Sequence, residues 1–213
     1  MAATRSSPGL VTRLLPIVYD LGAPVVFWPV GGLDDLRERA LDALDVRSGS
    51  RVLELGCGTG ALTAKLIRRG AEVTAVDRSE CGLGRARHRA PAATFVQSDI
   101  LDYRPSGKFD RVLLAFVLHE MEPVARRDAL TLARETLVRE GRVGVLDWSN
   151  PVSPILRLML RALVAAVEPR CARSWLTSSL ESHLEGTGLM PLVGRDVAMG
   201  TARIVVAGLC EPA

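Results

Sequence analysis

The chain has 213 residues, a length that suits one well-buried α/β domain and is short for two. Its hydrophobic fraction of 48% fits a packed globule with parallel strands, and its net charge of +3 is scattered, arginine supplying every basic residue except Lys65 and Lys108. No basic run or aromatic-interleaved stripe argues for nucleic acid, no stretch of about eighteen apolar residues supports a spanning helix, and Cys57, Cys81, Cys171 and Cys210 lack the C-x-x-C spacing and histidine neighbours of a metal site.

Residues 1–15 carry Arg5 and Arg13 without a continuous apolar core, so a secretory signal is not expected and a reduced, cytoplasmic setting is the default. Leu10–Asp20 is compatible with a short helix interrupted at Pro16. The apolar segment Ala23–Val30 follows, with Phe27 and Trp28 able to pack onto a sheet. After Gly31-Gly32, the residues Leu33, Leu36, Ala40, Leu41 and Leu44 share one helical face through Asp45, which predicts a helix lying against the sheet.

The segment Arg51–Gly60, RVLELGCGTG, then reads as a buried strand, a tight glycine turn and the start of a helix over Ala61–Arg69. Asp77 lies 19 residues beyond Gly58, at the end of the apolar run Glu72–Val76. A carboxylate at the tip of the neighbouring strand accepts hydrogen bonds from both hydroxyls of a ribose, which points to an adenosine-containing ligand. No Gly-Lys-Ser/Thr closes the turn as in a P-loop, and G-C-G-T-G departs from the dinucleotide pattern G-x-G-x-x-G. Glu54, just before the turn, suits an ammonium group and would repel a pyrophosphate. A glycine turn with no ligand is the bland alternative.

Beyond it, helix Glu80–Arg89, strand Thr94–Gln97, strand Phe109–Phe116, helix Val124–Arg139 and strand Arg142–Asp147 continue a strand–helix series, hence a doubly wound, mostly parallel sheet. Ligands of such sheets bind at the carboxyl ends of the strands, here Glu54–Gly60, Asp77-Arg78, Ser98–Ile100, Ala115–Met121 and Asp147–Asn150. Asp99 suits an exocyclic amino group, with Ile100 over the ring face, and equally suits a cap for a short helix near Leu101. His119, with an ordinary pKa of roughly 6.5, is a candidate general base or a group that orders its loop. Asp147 and Asn150 are possible partners for a substrate and Trp148 a possible wall, loop stabilisation being the alternative. Ser153–Val167 is the most apolar stretch, read either as a cap over an apolar pocket that also contacts a membrane surface or as a buried or dimer-forming helix. A helix around Ser178–Leu184, a strand over Leu189–Val197, a turn centred on Gly200 and a last strand complete the chain.

With Glu54 before G-C-G-T-G, Asp77, Ser98-Asp99-Ile100 and FDRVLLAFVLHEM, the sequence resembles the class I S-adenosylmethionine-dependent methyltransferases. The resemblance implies a Rossmann-like α/β fold, a mostly parallel seven-stranded sheet with an antiparallel last strand. It implies one domain over residues 1–213, with 1–50 as an N-terminal helical lid and 148–188 as a substrate-cap insertion. S-adenosyl-L-methionine would be held by Tyr19, Glu54, Gly56, Cys57, Gly58, Gly60, Asp77, Arg78, Ser98, Asp99, Ile100 and Ala115. The acceptor would meet Trp28, His119, Asp147, Trp148 and Asn150, with His119 as the catalytic base and no metal. Within the class, LDWSNPV resembles the ubiquinone and menaquinone C-methyltransferases, so the expected reaction is direct displacement onto a quinone-like or phenolic small molecule. An amphipathic amine or phospholipid headgroup, or cofactor binding without catalysis, are the competing expectations. A monomer or homodimer with a small-molecule acceptor, and no nucleic acid, is expected.

Overall fold

A computed structural model describes residues 32–167 and 170–210. Helix α1 (Leu33–Ala43) leads into strand β1 (Arg51–Leu55), and α2 (Ala61–Arg68), β2 (Glu72–Asp77), α3 (Glu80–Arg89) and β3 (Thr94–Gln97) follow. Strand β4 (Phe109–Ala115) ends in a 3-10 turn over Leu118–Glu120, before α4 (Pro123–Thr136) and β5 (Leu137–Trp148). Helices α5 (Pro154–Val167), α6 (Arg170–Trp175) and α7 (Leu180–Leu184) precede a closing hairpin of β6 (Leu189–Val197) and β7 (Ala202–Leu209). The seven strands form one sheet in the order β3-β2-β1-β4-β5-β7-β6. Strands β1 to β5 are mutually parallel, and β7 is antiparallel to both β5 and β6. The expected sheet, with its antiparallel last strand, is therefore present.

Alternation along the central strands builds two apolar layers. Leu53, Leu55, Val112, Leu114, Val143 and Val145 join one cluster with Ala129, Leu130 and Ala133 of α4 and Leu180 and Leu184 of α7. Val52, Leu113 and Val206 join the other, with Leu41 and Leu44 of α1, Leu62 and Leu66 of α2 and Leu83 of α3. A period of two along each strand sends successive side chains to opposite layers, which is why β1 and β4 read as continuous apolar runs. Gly144 makes room for α1, since a Cβ there would lie 3.1 Å from the Leu44 methyls.

Three boundaries differ from expectation for local physical reasons. Helix α4 stops at Thr136, whose hydroxyl donates to Ala133 O, and β5 begins at once at Leu137. Glu140 and Gly141, which lie between the expected helix and the expected strand, form part of an irregularity inside β5, because the ladder with β4 steps from Phe109↔Leu137 directly to Arg111↔Arg142. Helix α1 packs against β5, β7 and α2 and is tied to α2 by Glu38, which accepts from Lys65 at 2.8 Å and Arg69 at 2.6 Å. It belongs to the layer beside the sheet and not to a lid; the rest of the proposed lid, residues 1–31, lies outside the described residues. Helix α7 likewise packs on α4, β6 and β7 as a crossover helix, although it falls within the residues expected to form a cap.

Candidate functional site

At the carboxyl end of β1 the chain reverses through Gly56, Gly58 and Gly60, all at positive φ. Gly56 and Cys57 donate their N–H groups to Val76 O at 2.8 and 3.1 Å, fastening the turn to the end of β2. A Cβ at Gly56 would sit 2.4 Å from a Val117 methyl, and one at Gly60 would sit 2.7 Å from Ala86 Cβ. Both glycines allow close packing with neighbouring elements. Gly58 differs, because a Cβ there would project into open space, so its backbone is not covered by a neighbouring element.

Asp77 faces this turn from β2. Its Oδ2 accepts from Gly58 N at 2.7 Å and its Oδ1 from Ser79 N at 2.8 Å, which fixes the carboxylate and leaves one lone pair on each oxygen for ribose hydroxyls. Arg78, next along, is exposed. Glu54 lies beneath, buried, accepting from Thr63 Oγ1 at 2.6 Å. Burial raises its pKa to about 7, so near neutral pH it is poised between carboxyl and carboxylate. That makes it responsive to an incoming ammonium. Cys57 is also buried, where desolvation pushes its thiol well up; it packs the turn and does not present itself to a ligand.

At the end of β3, Asp99 Oδ1 accepts from Leu101 N at 3.0 Å, the capping role, while the residue as a whole is exposed. Ser98 Oγ donates to Asp99 O. Ile100 departs from expectation, being inserted in the core instead of standing over an open cleft. Ala115 is half-buried at the end of β4. Tyr19 and Trp28 lie outside the described residues.

The chain after β4 carries the densest polar cluster. Phe116 continues the ladder, its N–H donating to Leu146 O at 2.7 Å, but takes a left-handed φ of +55° that costs a non-glycine residue roughly 1 kcal/mol. The bend swings Leu118 N and His119 N onto Asp147 Oδ2, at 3.0 and 3.3 Å. Asp147 Oδ1 accepts from Trp148 N at 2.8 Å and from His119 Nδ1 at 2.6 Å. With a carboxylate as acceptor, Nδ1 carries the proton and Nε2 is the basic ring atom. Asp147 is therefore not an acceptor-facing side chain as expected: it is fully buried, with both oxygens committed to the backbone and to His119. His119 is itself 1% exposed, with the Trp148 ring edge-on at 6.3 Å and Phe116 edge-on to Trp148 at 5.4 Å. Trp148 is buried and Asn150 exposed.

Sequence reasoning did not single out the side chain that closes this cluster. Arg126 of α4 is buried, donating through Nε to Leu118 O at 3.0 Å and through a terminal nitrogen to Cys171 O at 2.8 Å. Its guanidinium lies 5.0 Å from the centre of the Trp175 ring, and Trp175 Nε1 donates to Trp148 O at 2.8 Å. Cys171 Sγ donates to Glu120 O at 2.9 Å. Helix α6 is thus fastened directly over the turn that bears His119. The signal was in the sequence: Arg126 shares the stripe of Ala129, Leu130 and Ala133, where a solvated arginine is out of place. Among the described residues no group of three or more His, Cys, Asp or Glu side chains is placed to hold a metal. A cavity of about 560 Å³, lined by Ser50, Asp110, Arg111, Val138, Glu140 and Arg142, opens near the amino-terminal ends of β1, β4 and β5, away from these groups.

Comparison with known proteins accords with this geometry. The methyltransferase domain family matches residues 52–141, from β1 into β5. A methyltransferase of Synechocystis is 29% identical over 193 residues, 90% of this chain and 91% of its own length. A demethylmenaquinone methyltransferase of Tropheryma whipplei is 32% identical over 161 residues, covering 70% of this chain and 66% of that protein. Among solved structures, 1,6-didemethyltoxoflavin-N1-methyltransferase of Burkholderia thailandensis superposes with a TM-score of 0.67 at 19% identity, covering 99% of this chain and 94% of that one, a likeness of fold.

Proposed function

We propose that this chain, a class I S-adenosylmethionine-dependent methyltransferase by its domain match and its relatives, acts on a hydroxylated, lipophilic ring of the demethylmenaquinone type, methylated on ring carbon. The observation that carries this reading is the His119–Asp147 pair, a buried base with a fixed tautomer set among Phe116 and Trp148. When bound, S-adenosylmethionine supplies a methyl group whose carbon–sulfur bond breaks as the new bond forms, leaving a neutral thioether. The glycine turn fits that cofactor: open space at Gly58, a fixed carboxylate at Asp77 for the ribose and a titrating carboxyl at Glu54 for the ammonium. Arg78, Ser98, Asp99 and Ala115 border the same strand ends and complete the proposed cofactor contacts.

A ring carbon becomes nucleophilic when the hydroxyl on the ring loses its proton. His119 Nε2 would take that proton, and the Asp147 carboxylate at Nδ1 would stabilise the resulting imidazolium. Transfer of the methyl, followed by loss of the ring hydrogen and reprotonation of the oxygen, restores an aromatic ring and yields one net proton. Exclusion of water by α6 and the two aromatic rings preserves the ring anion. Asn150, exposed beyond β5, is the remaining polar candidate for the acceptor.

Labelled methyl transfer to a short-chain demethylmenaquinol tests the proposal. His119→Asn is expected to lower kcat by ~100-fold or more with the S-adenosylhomocysteine affinity retained, and Asp77→Ala to abolish that affinity. Transfer to amines in place of the quinol, or full kcat without His119, would overturn the assignment.

A further inference from the structure

We propose that the outer face of α5 is a docking surface for an anionic lipid bilayer. Helix α5 is apolar on two sides. Its inner side packs Leu160 and Val164 into the cluster that contains Trp148 and Trp175, which accounts for one apolar stripe. Its outer side carries a second: Ile155, Leu158, Met159 and Ala162 stand at i, i+3, i+4 and i+7, the spacing of a single helical face, and all four are exposed. The three large side chains are 73%, 71% and 63% exposed, and Val152, 88% exposed, extends the surface toward β5. Met199, 66% exposed, belongs to the same rim, because its neighbour Gly200 abuts Pro151.

Charge selects the occupant. From Val152 to Ser179 the sequence contains Arg157, Arg161, Arg170 and Arg173 against a single acid, Glu168. Arg157 and Arg173 are tied back to the chain, donating to Pro151 O and Val152 O and to Ala165 O. Arg161 is exposed beside the outer stripe, its guanidinium available to solvent. An apolar helical face edged by arginine, without acids, matches an interface lined by anionic headgroups, where the apolar side chains enter the acyl boundary. A soluble protein partner would need carboxylates set around an apolar groove. Position gives the surface its purpose: α5 begins beyond the carboxyl end of β5 and leads into α6, which covers His119. A lipid-dissolved acceptor would thus reach the site along the face that touches the bilayer, an inference that rests on the acceptor proposed above.

The test is sedimentation of the whole chain with vesicles of phosphatidylcholine mixed with phosphatidylglycerol, and with phosphatidylcholine alone. Binding is expected to the mixed vesicles, weakened by salt, and reduced ~tenfold or more in both Leu158→Glu and Arg161→Glu, which alter exposed positions. Methylation of a water-soluble quinol is expected to be unchanged in both variants, and methylation of a vesicle-dissolved quinol to fall in parallel with binding. Absence of binding by the unaltered chain, or binding that ignores both substitutions, overturns the proposal. So does a dimer that Leu158→Glu dissociates, which gives the face to a second copy, or residues 1–31 becoming protease-sensitive in that variant, which gives it to that segment. Vesicle binding that behaves as expected while no quinol is methylated leaves the surface standing and removes only the acceptor.

Discussion

Glu54 shows how one side chain couples ligand and fold. Its pKa in the folded chain is about 7, against an ordinary value near 4.5, because burial outweighs the Thr63 hydroxyl. Between these two values the unfolded chain has released the proton and the folded chain has kept it. The unfolded chain therefore binds fewer protons there, and stability falls as pH rises from about 4.5 to about 7, then levels. The loss amounts to about 3 kcal/mol on the linkage relation. Glu54→Gln is expected to remove that slope, seen as urea midpoints that no longer fall across the window. A ligand ammonium beside Glu54 reverses the preference, so S-adenosylhomocysteine binding near pH 6 is expected to release a proton. Calorimetry in buffers of different ionisation enthalpy reads this directly; equal heats in both would remove Glu54 from the ammonium site. Asp77 and Asp147 illustrate two fates of an acidic residue at a strand end: one half-buried and open to a ligand, the other turned fully inward.

Among elements, α6 is the short helix whose docking matters most. Six residues have little helical stability alone, and its place is set by tertiary contacts from Arg126, Trp175 and Cys171. Burial lowers the Arg126 pKa, and the charge is accommodated by carbonyl acceptors and the Trp175 ring. Arg126→Ala leaves Leu118 O and Cys171 O without that donor and is expected to cost about 2–4 kcal/mol. Hydrogen exchange is expected to accelerate together over the Leu118–Glu120 turn and over α6, while α2 and α3 on the other layer keep their protection. Protection unchanged over both segments would show that the arginine does not tie them. The β5 irregularity belongs to the same scale. A ladder that advances two residues on β4 and five on β5 absorbs Val138–Gly141 without displacing Asp147 from its register against Arg203.

At the scale of the molecule, the antiparallel β7 completes the sheet. Ala202, Ile204, Val205, Val206 and Ala207 are all buried, and β7 pairs with β5 from Arg142 to Trp148. Removing residues 189–210 would expose β5 as a long apolar edge, the kind that pairs with other chains. The shortened chain is expected to aggregate, checked by size exclusion against the full chain; a soluble monomer with native circular dichroism would contradict this. Both helical layers share the one sheet, so the glycine turn after β1 and the His119 turn after β4 are held side by side by neighbouring strands.

By itself, the sequence determined the strand–helix series, the glycine turn with Asp77 at its fixed distance, and the residues at each strand end, because these follow from local periodicity and from backbone conformations that few residues adopt. Thr94–Gln97 and Glu80–Arg89 were legible to the residue. What only the tertiary structure decided was which of those strand-end residues meet. His119 and Asp147 are 28 positions apart, and their union depends on β4 and β5 being neighbours and on the left-handed bend at Phe116. Arg126 and Trp175 meet only after α6 folds back over α4. The two faces of α5 divide in the same way: its composition announced an apolar helix, and packing alone decided that one stripe is core and the other remains exposed. Local pattern reports what a residue can do, whereas burial and partnership, which are properties of the packed whole, decide which of its capacities is used.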